Sequence, residues 1–412
     1  MFFNFKKIIL IVIVVIIAGL IGFALYYMFT KTAPIQKTTE TGEVTPSGQL
    51  PSSGEMPAGA TGAETEGEIP SGQLPSGISV PGAGSASYYQ PKAVTKISDD
   101  YAVHSSLNSK NGNYRYYNSG NGKFYRVQAD GTIKELTDQV FYNVKNVTWA
   151  KNNDKAVLEY PDGSKIIYNF EIKKQVTLPK HWEEFSFSSD GTQVAAKSIG
   201  LSPENRWLVT INDDGTGTKL VEPMGNNADR VQIAWSPSNQ TVAFSQTGEP
   251  LGAERREVLF VGLNNENFKS TIVEGMGFTP QWSNTGKKLL YSVYSSRTDY
   301  KPEIWVVNSY GDEIGSDRQE LKINTWADKC AFGDDNTLFC AIPQNLPRGA
   351  GMSREIANSS YDTLYKIDLK TGLKTNIPLE ENYNIQNISY DQSNNKLFFN
   401  DLNKNGIFEA QL

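Results

Sequence analysis

The stretch Ile233-Ala-Trp-Ser-Pro-Ser-Asn-Gln-Thr-Val-Ala-Phe-Ser245 decides the fold. Apolar β-formers flank a Ser-Pro-Ser-Asn-Gln turn, and Asn tolerates the left-handed backbone that a tight turn needs. Six other stretches repeat the plan. A bulky residue (Leu107, Trp149, Phe187, Trp235, Trp282, Phe332, Tyr390) is followed four positions later by Asn or Gly (Asn111, Asn153, Gly191, Asn239, Gly286, Asn336, Asn394). Three positions on stands an apolar residue: Tyr114, Ala156, Val194, Val242, Leu289, Phe339 or Leu397. The copies are 38 to 58 residues apart, the spacing of a repeat architecture.

Between copies lies a second hairpin, as in Trp207–Ile211 leading to Asp214-Gly215 and Ile304–Val307 leading to Tyr310-Gly311. Two hairpins per repeat make the four strands of one propeller blade. The expectation is an all-β propeller over residues 92–412. It has seven blades, or six if the copy carrying Leu107 is not one. The last copy supplies only three strands, ending in Gly406–Leu412. The spare strand Ala93–Ile97 therefore pairs with it and closes the ring, leaving no open edge.

The hairpin Trp235-Ser-Pro-Ser-Asn-Gln-Thr-Val-Ala-Phe244 resembles the W-S-P-D-G-x-x-[ILV]-A-[FY] repeat of TolB-type propellers, relatives of WD-repeat proteins. Phe187–Ala195 and Trp282–Tyr291 are similar. Pro237 keeps the Pro of the motif and Asp190 the Asp. The resemblance implies a protein-interaction platform. Propellers fused to prolyl-oligopeptidase-like hydrolases share the repeat, but their G-x-S-x-G elbow does not occur here.

The N-terminus is of another kind. Ile8–Phe29 is uncharged for 22 residues, about 33 Å as a helix and enough to cross a bilayer. Lys6 and Lys7 precede it and favour a cytoplasmic N-terminus. The run exceeds the apolar core of a signal peptide and no A-x-A site follows, so residues 1–31 read as an uncleaved anchor rather than a cleaved signal. Residues 32–91 are rich in Pro, Gly, Ser, Thr and Glu, with Pro-Ser-Gly-Gln-Leu-Pro-Ser at 46–52 and again at 70–76. That composition predicts a disordered tether.

Composition narrows function. A formal charge of −6 gives no support to nucleic-acid binding, and two His and two Cys exclude sites needing several of either. In a propeller the loops between second and third strands share a face. Here that face carries Arg206, Arg255, Arg256, Arg297, Arg348 and Arg354, and Arg230 lies in a connection beside them, making seven of the ten Arg. Guanidinium groups suit carboxylate or phosphate, so this face is the candidate site for a protein partner or an anionic envelope polymer. Its bland alternative is solvated loop charge balanced by Glu254, Glu257 and Glu355.

Two further constellations stand out. Asp401, Asn403, Asn405 and Glu409 have the spacing of a calcium loop around Gly406, although Asn405-Gly406 also makes a plain hairpin turn, the favoured reading, with no cofactor. Cys330 and Cys340 fall opposite each other on paired strands, as a disulfide or two buried thiols. No catalytic constellation stands out. The sequence therefore reads as a membrane-anchored extracytoplasmic binding scaffold. The alternative is an envelope enzyme, a lyase or glycan-active hydrolase, using the central funnel.

Overall fold

Each motif copy builds the inner half of one blade. In the computed structural model, which describes residues 90–412 together with Leu20 and Phe23, twenty-eight strands form seven four-stranded antiparallel sheets. Apart from Leu20 and Phe23, the expected membrane helix lies outside the described residues, as does all but the end of the expected tether. Among the described residues no helix is long and apolar enough to cross a membrane.

Blade 1 uses Ala102–Leu107, Tyr114–Asn118, Lys123–Val127 and Ile133–Glu135, so Leu107 does open a blade and the six-bladed alternative is set aside. Blade 2 runs from Asn146 to Leu178, blade 3 from Trp182 to Pro223, blade 4 from Val231 to Glu274, blade 5 from Met276 to Glu320 and blade 6 from Cys330 to Ile377. Blade 7 combines Ile385–Asp391, Lys396–Asp401 and Ile407–Gln411 with Val94–Ser98 from the start of the ring. The closing strand is antiparallel to Ile407–Gln411, with Val94 opposite Ala410 and Lys96 opposite Phe408. Lys92 N–H reaches Pro378 O at 2.7 Å, fixing the chain as it enters the ring.

The core is not one mass but seven seams. Seven buried apolar clusters lie one between each pair of neighbouring blades. The motif aromatic belongs to these seams. Trp282 of blade 5 stacks on Phe244 of blade 4 at 5.0 Å, and its Nε1–H donates to Ala234 O at 3.1 Å. Trp149 of blade 2 packs on Phe124 of blade 1 and donates to His104 O at 2.6 Å. Trp149 and Trp282 thus bury their rings with the indole N–H satisfied, whereas the buried Trp235 indole N–H has no partner among the described residues. At the closing seam Tyr114 stacks on Phe398 at 4.9 Å.

Between blades 1 and 2 the seam also holds a charge. Arg115 is fully buried, accepted by Asn153 O at 2.7 Å and Ala150 O at 2.9 Å, with Asp154 at 3.4 Å and the Trp149 ring 4.6 Å away. Burial lowers its pKa to about 10, and Asp154 opposes that shift. Buried charge persists only when paired and hydrogen-bonded in this way.

The turn positions follow the backbone they need. Gly191 and Gly286 have φ of +69° and +76°, and Asn239 has +60°. A Cβ on Gly286 would meet Ser236 Oγ at 2.5 Å in the neighbouring turn. Asn239 and Ser189 likewise bond across adjacent turns at 2.8 Å.

Cys330 and Cys340 are directly opposite in register, with Cα atoms 4.1 Å apart, and are disulfide-bonded in the core between blades 5 and 6. Closing a loop of this length contributes roughly 2–3 kcal/mol in the chain-entropy model. The double substitution Cys330→Ala, Cys340→Ala is expected to lower unfolding free energy by about that much. Urea denaturation measures it. Thiol titration of the unreduced, unfolded wild type is expected to find no free thiol.

Candidate functional site: the long-loop face

The first strand of every sheet is the innermost one: a cavity of about 300 Å³ on the ring axis is lined by first-strand residues of blades 1, 5 and 7 and by the start of blade 6. Chain direction then assigns the faces. The motif turns, after the first strands, lie on one face. The loops between second and third strands and the blade-to-blade connections lie on the other.

The long loops interlock. Ser296 N–H and Oγ–H donate to the Glu254 carboxylate at 3.1 and 2.6 Å, joining blade 4 to blade 5. Gly349 N–H donates to Asp299 O at 2.9 Å and Gly351 N–H to Tyr300 O at 2.8 Å, joining blade 6 to blade 5. Asn384 Nδ2–H donates to Asn358 O at 2.7 Å, extending the collar to blade 7. Backbone partners give these loops a defined shape, and binding residues concentrate on such loops.

The seven Arg separate into two groups. Arg206 braces its own loop through Gly200 O and Leu201 O. Arg256 donates to Gln246 at 3.1 Å. Arg297 pairs with Glu303 at 2.8 Å and lies 5.7 Å from the Trp305 ring. Arg354 pairs with Asp328 at 2.5 Å over the Trp326 ring. Arg230, Arg255 and Arg348 are exposed and make no ion pair or side-chain hydrogen bond among the described residues. The carboxylates named as balancing charges do other work. Glu254 holds Ser296, Glu257 accepts from Ser270 and the Glu249 backbone, and Glu355 accepts from Ser353.

Exposed apolar side chains accompany the free Arg. Tyr101, Tyr142, Leu201, Leu251, Met352, Ile356, Tyr361 and Leu402 all belong to loops or connections of this face. On the turn face the large exposed apolar residues are Ile172, Tyr310 and Leu373. That face is instead stitched internally: Lys155 pairs with Asp213 and Lys288 with Asp317.

A buried ion pair sits beneath the long-loop face, where blade 6 meets blade 7. Lys329 Nζ lies 2.8 Å from both oxygens of Asp362, and Ile385 N–H donates to the same carboxylate at 2.6 Å. Burial pushes the Lys329 pKa down and the Asp362 pKa up, each opposed by the partner's charge.

One signal in the sequence escaped motif reading. Three positions before each motif aromatic stands a polar residue: His104, Asn146, Glu184, Gln232, Thr279, Lys329 and Asn387. Each lies on, or just before, an innermost strand. His104, Glu184 and Asn387 have φ of 51°, 50° and 48° at bulges in three of those strands. Burial pushes the His104 pKa down, opposed by a hydrogen bond to the Lys145 backbone and by the charge of Glu159. Glu184 pairs with the buried Lys197 at 2.6 Å. Among the described residues the only ionic side chain lining the axial cavity is Asp328, already paired with Arg354.

The calcium-like residues do not converge. Asp401 accepts from Asn384 N–H at 2.6 Å and Asn403 N–H at 2.7 Å. Glu409 lies on the following strand and pairs with Lys396 at 2.9 Å, while Asn403 and Asn405 are exposed at the turn. Among the described residues no group of three or more His, Cys, Asp or Glu is placed to hold a metal ion.

The fold is a seven-bladed β-propeller. No protein-family model and no curated protein matches the sequence. Among solved structures, the Myceliophteria thermophila Cps50 (Swd1) β-propeller domain aligns with a TM-score of 0.52 at 11% identity, covering 77% of this chain and 99% of that one. An oligogalacturonate lyase in complex with manganese gives 0.53 at 12%, covering 77% and 93%. Oligogalacturonate lyase from Vibrio parahaemolyticus gives 0.52 at 12%, with the same coverage. At such identities the likeness speaks for the propeller alone.

Lys329→Met is expected to destabilise the protein by about 3–5 kcal/mol, since it leaves Asp362 buried without its counter-charge. Adding Asp362→Asn is expected to recover part of that loss, and the two urea-unfolding curves together measure the pair.

Proposed function

We propose that this chain is a binding scaffold, anchored by Ile8–Phe29 and carrying its propeller outside the membrane, whose long-loop face holds an acidic protein partner or an anionic envelope polymer. The observation that carries the reading is the coincidence on one face of three exposed Arg, without ion pair or side-chain hydrogen bond among the described residues, with eight exposed apolar side chains. Aromatic and Arg residues around apolar anchors are the composition of protein interfaces. The anchor and its orientation rest on the uncharged 22-residue run behind Lys6 and Lys7.

The second reading is an envelope lyase or glycan-active hydrolase working in the axial cavity, favoured by the cavity itself and by His104 on an innermost strand next to its lining residue Ser105. Catalysis requires titratable groups that converge on a substrate. The Arg face requires only a complementary surface.

Exchange of Arg230, Arg255 and Arg348 for Ser is expected to cut crosslinked recovery of native envelope partners at least tenfold. A Lys155→Ser, Lys288→Ser variant of the opposite face should recover them normally. Equal recovery by wild type and the Arg variant contradicts the proposal, and glycan turnover by the purified protein would move the assignment to the second reading.

A further inference from the structure

Blade 4 is incomplete on its outer side. Its third strand, Arg255–Val261, pairs inward through Leu259–Val261 with Ala243–Ser245. Its fourth strand, Thr271–Glu274, pairs only with Arg255–Val258. In blade 2, by contrast, the fourth strand covers the third along its whole length, Lys165–Asn169. The outer edge of Leu259–Val261 therefore has no strand beside it. The chain leaves this edge at Ser270, whose hydroxyl is held by the Glu257 carboxylate.

The space left open is a cleft of about 450 Å³ between blades 3 and 4. Leu208, Met224, Val231 and Phe260 supply its apolar wall, and Glu222 and Glu266 stand among its lining residues, which include no Lys, Arg or His. Glu266 is fixed by Asn264, whose backbone N–H and Nδ2–H donate to it at 2.8 and 3.0 Å. Glu222 is exposed on the last strand of blade 3.

We infer that this cleft is a second binding site, taking an extended basic peptide segment of a partner protein as the missing length of the fourth strand. An unpaired strand edge offers backbone donors and acceptors that an added strand satisfies. Alternate side chains of such a strand point to one side, where the apolar wall receives them. Glu266 already has Lys219 beside it, held at Leu263 O and Asn264 Oδ1, so Glu222, exposed and without an ion pair among the described residues, selects Lys or Arg at the remaining positions. The inference does not rest on the function proposed for the Arg-bearing face.

The test uses the propeller-bearing full chain with methyl-labelled Leu, Val and Met and the probe peptide acetyl-Lys-Val-Lys-Val-Lys-amide. Binding is expected to shift the methyl resonances of Leu208, Met224, Leu259 and Val261. Glu222→Lys, a surface change, should weaken affinity about tenfold, as should N-methylation of the central residues of the peptide, while the Glu-for-Lys peptide should not bind. The inference is overturned by absence of these shifts at millimolar peptide, or by equal affinity for the N-methylated peptide. Equal affinity of the Glu222→Lys variant also overturns it. The same resonances moving with protein concentration alone would assign the cleft to a second copy of the chain, which likewise overturns it.

Discussion

Everything in this molecule depends on the closure of a ring whose two ends are far apart in sequence. Val94–Ser98 must find Ile407–Gln411 before blade 7 has four strands. Only then does the seam of Tyr114 and Phe398 close. Without closure, the last blade presents an open edge and one apolar seam faces water. Because the core is divided into seven seams, no blade is buried on its own. Each seam takes its apolar surface from two blades, so the packing of one depends on the position of the next.

That constraint explains the division of labour between the faces. The motif turns are short, and adjacent turns bond to each other, as Asn239 does to Ser189 and Thr285 to Asp335. The loops on the other face also bond from blade to blade, as Ser296 does to Glu254 and Gly351 to Tyr300, but they are longer and vary in length. They carry Arg230, Arg255 and Arg348 exposed, and the loop that holds Arg348 also exposes Met352, Ile356 and Tyr361. Blade 4 shows how far the ring tolerates irregularity. Its inner strands are short and its outer strand incomplete, yet the Trp235 and Trp282 seams hold it.

The architecture was legible in the sequence because its signal is local. Asn or Gly stands four positions after the bulky residue in every copy, and the left-handed backbone falls there in blades 3, 4 and 5 and one position later, at Gly112 and Asn395, in blades 1 and 7. Closure by the N-terminal strand was legible by counting strands. The fate of the Arg residues was legible only as to face. Which guanidinium finds a carboxylate depends on residues far apart in sequence, as with Arg354 and Asp328 or Arg297 and Glu320. The burial of Arg115 had no local signal, since its partners sit on the turn and inner strand of the next blade. The polar position before each aromatic was present in the sequence. It becomes meaningful only once the first strands are known to surround the axis. The calcium-like spacing placed Asp401 and Glu409 in one loop. The strand beginning at Ile407 instead carries Glu409 to Lys396.

Closure is tested most directly by native-state hydrogen exchange. If the ring is closed as described, the amides that Val94–Ser98 commits to Ile407–Gln411 are protected to the same free energy as the second strands of blades 2 and 3. Exchange of Val94–Ser98 at the rate of an unstructured peptide, with the second strands still protected, would contradict the account.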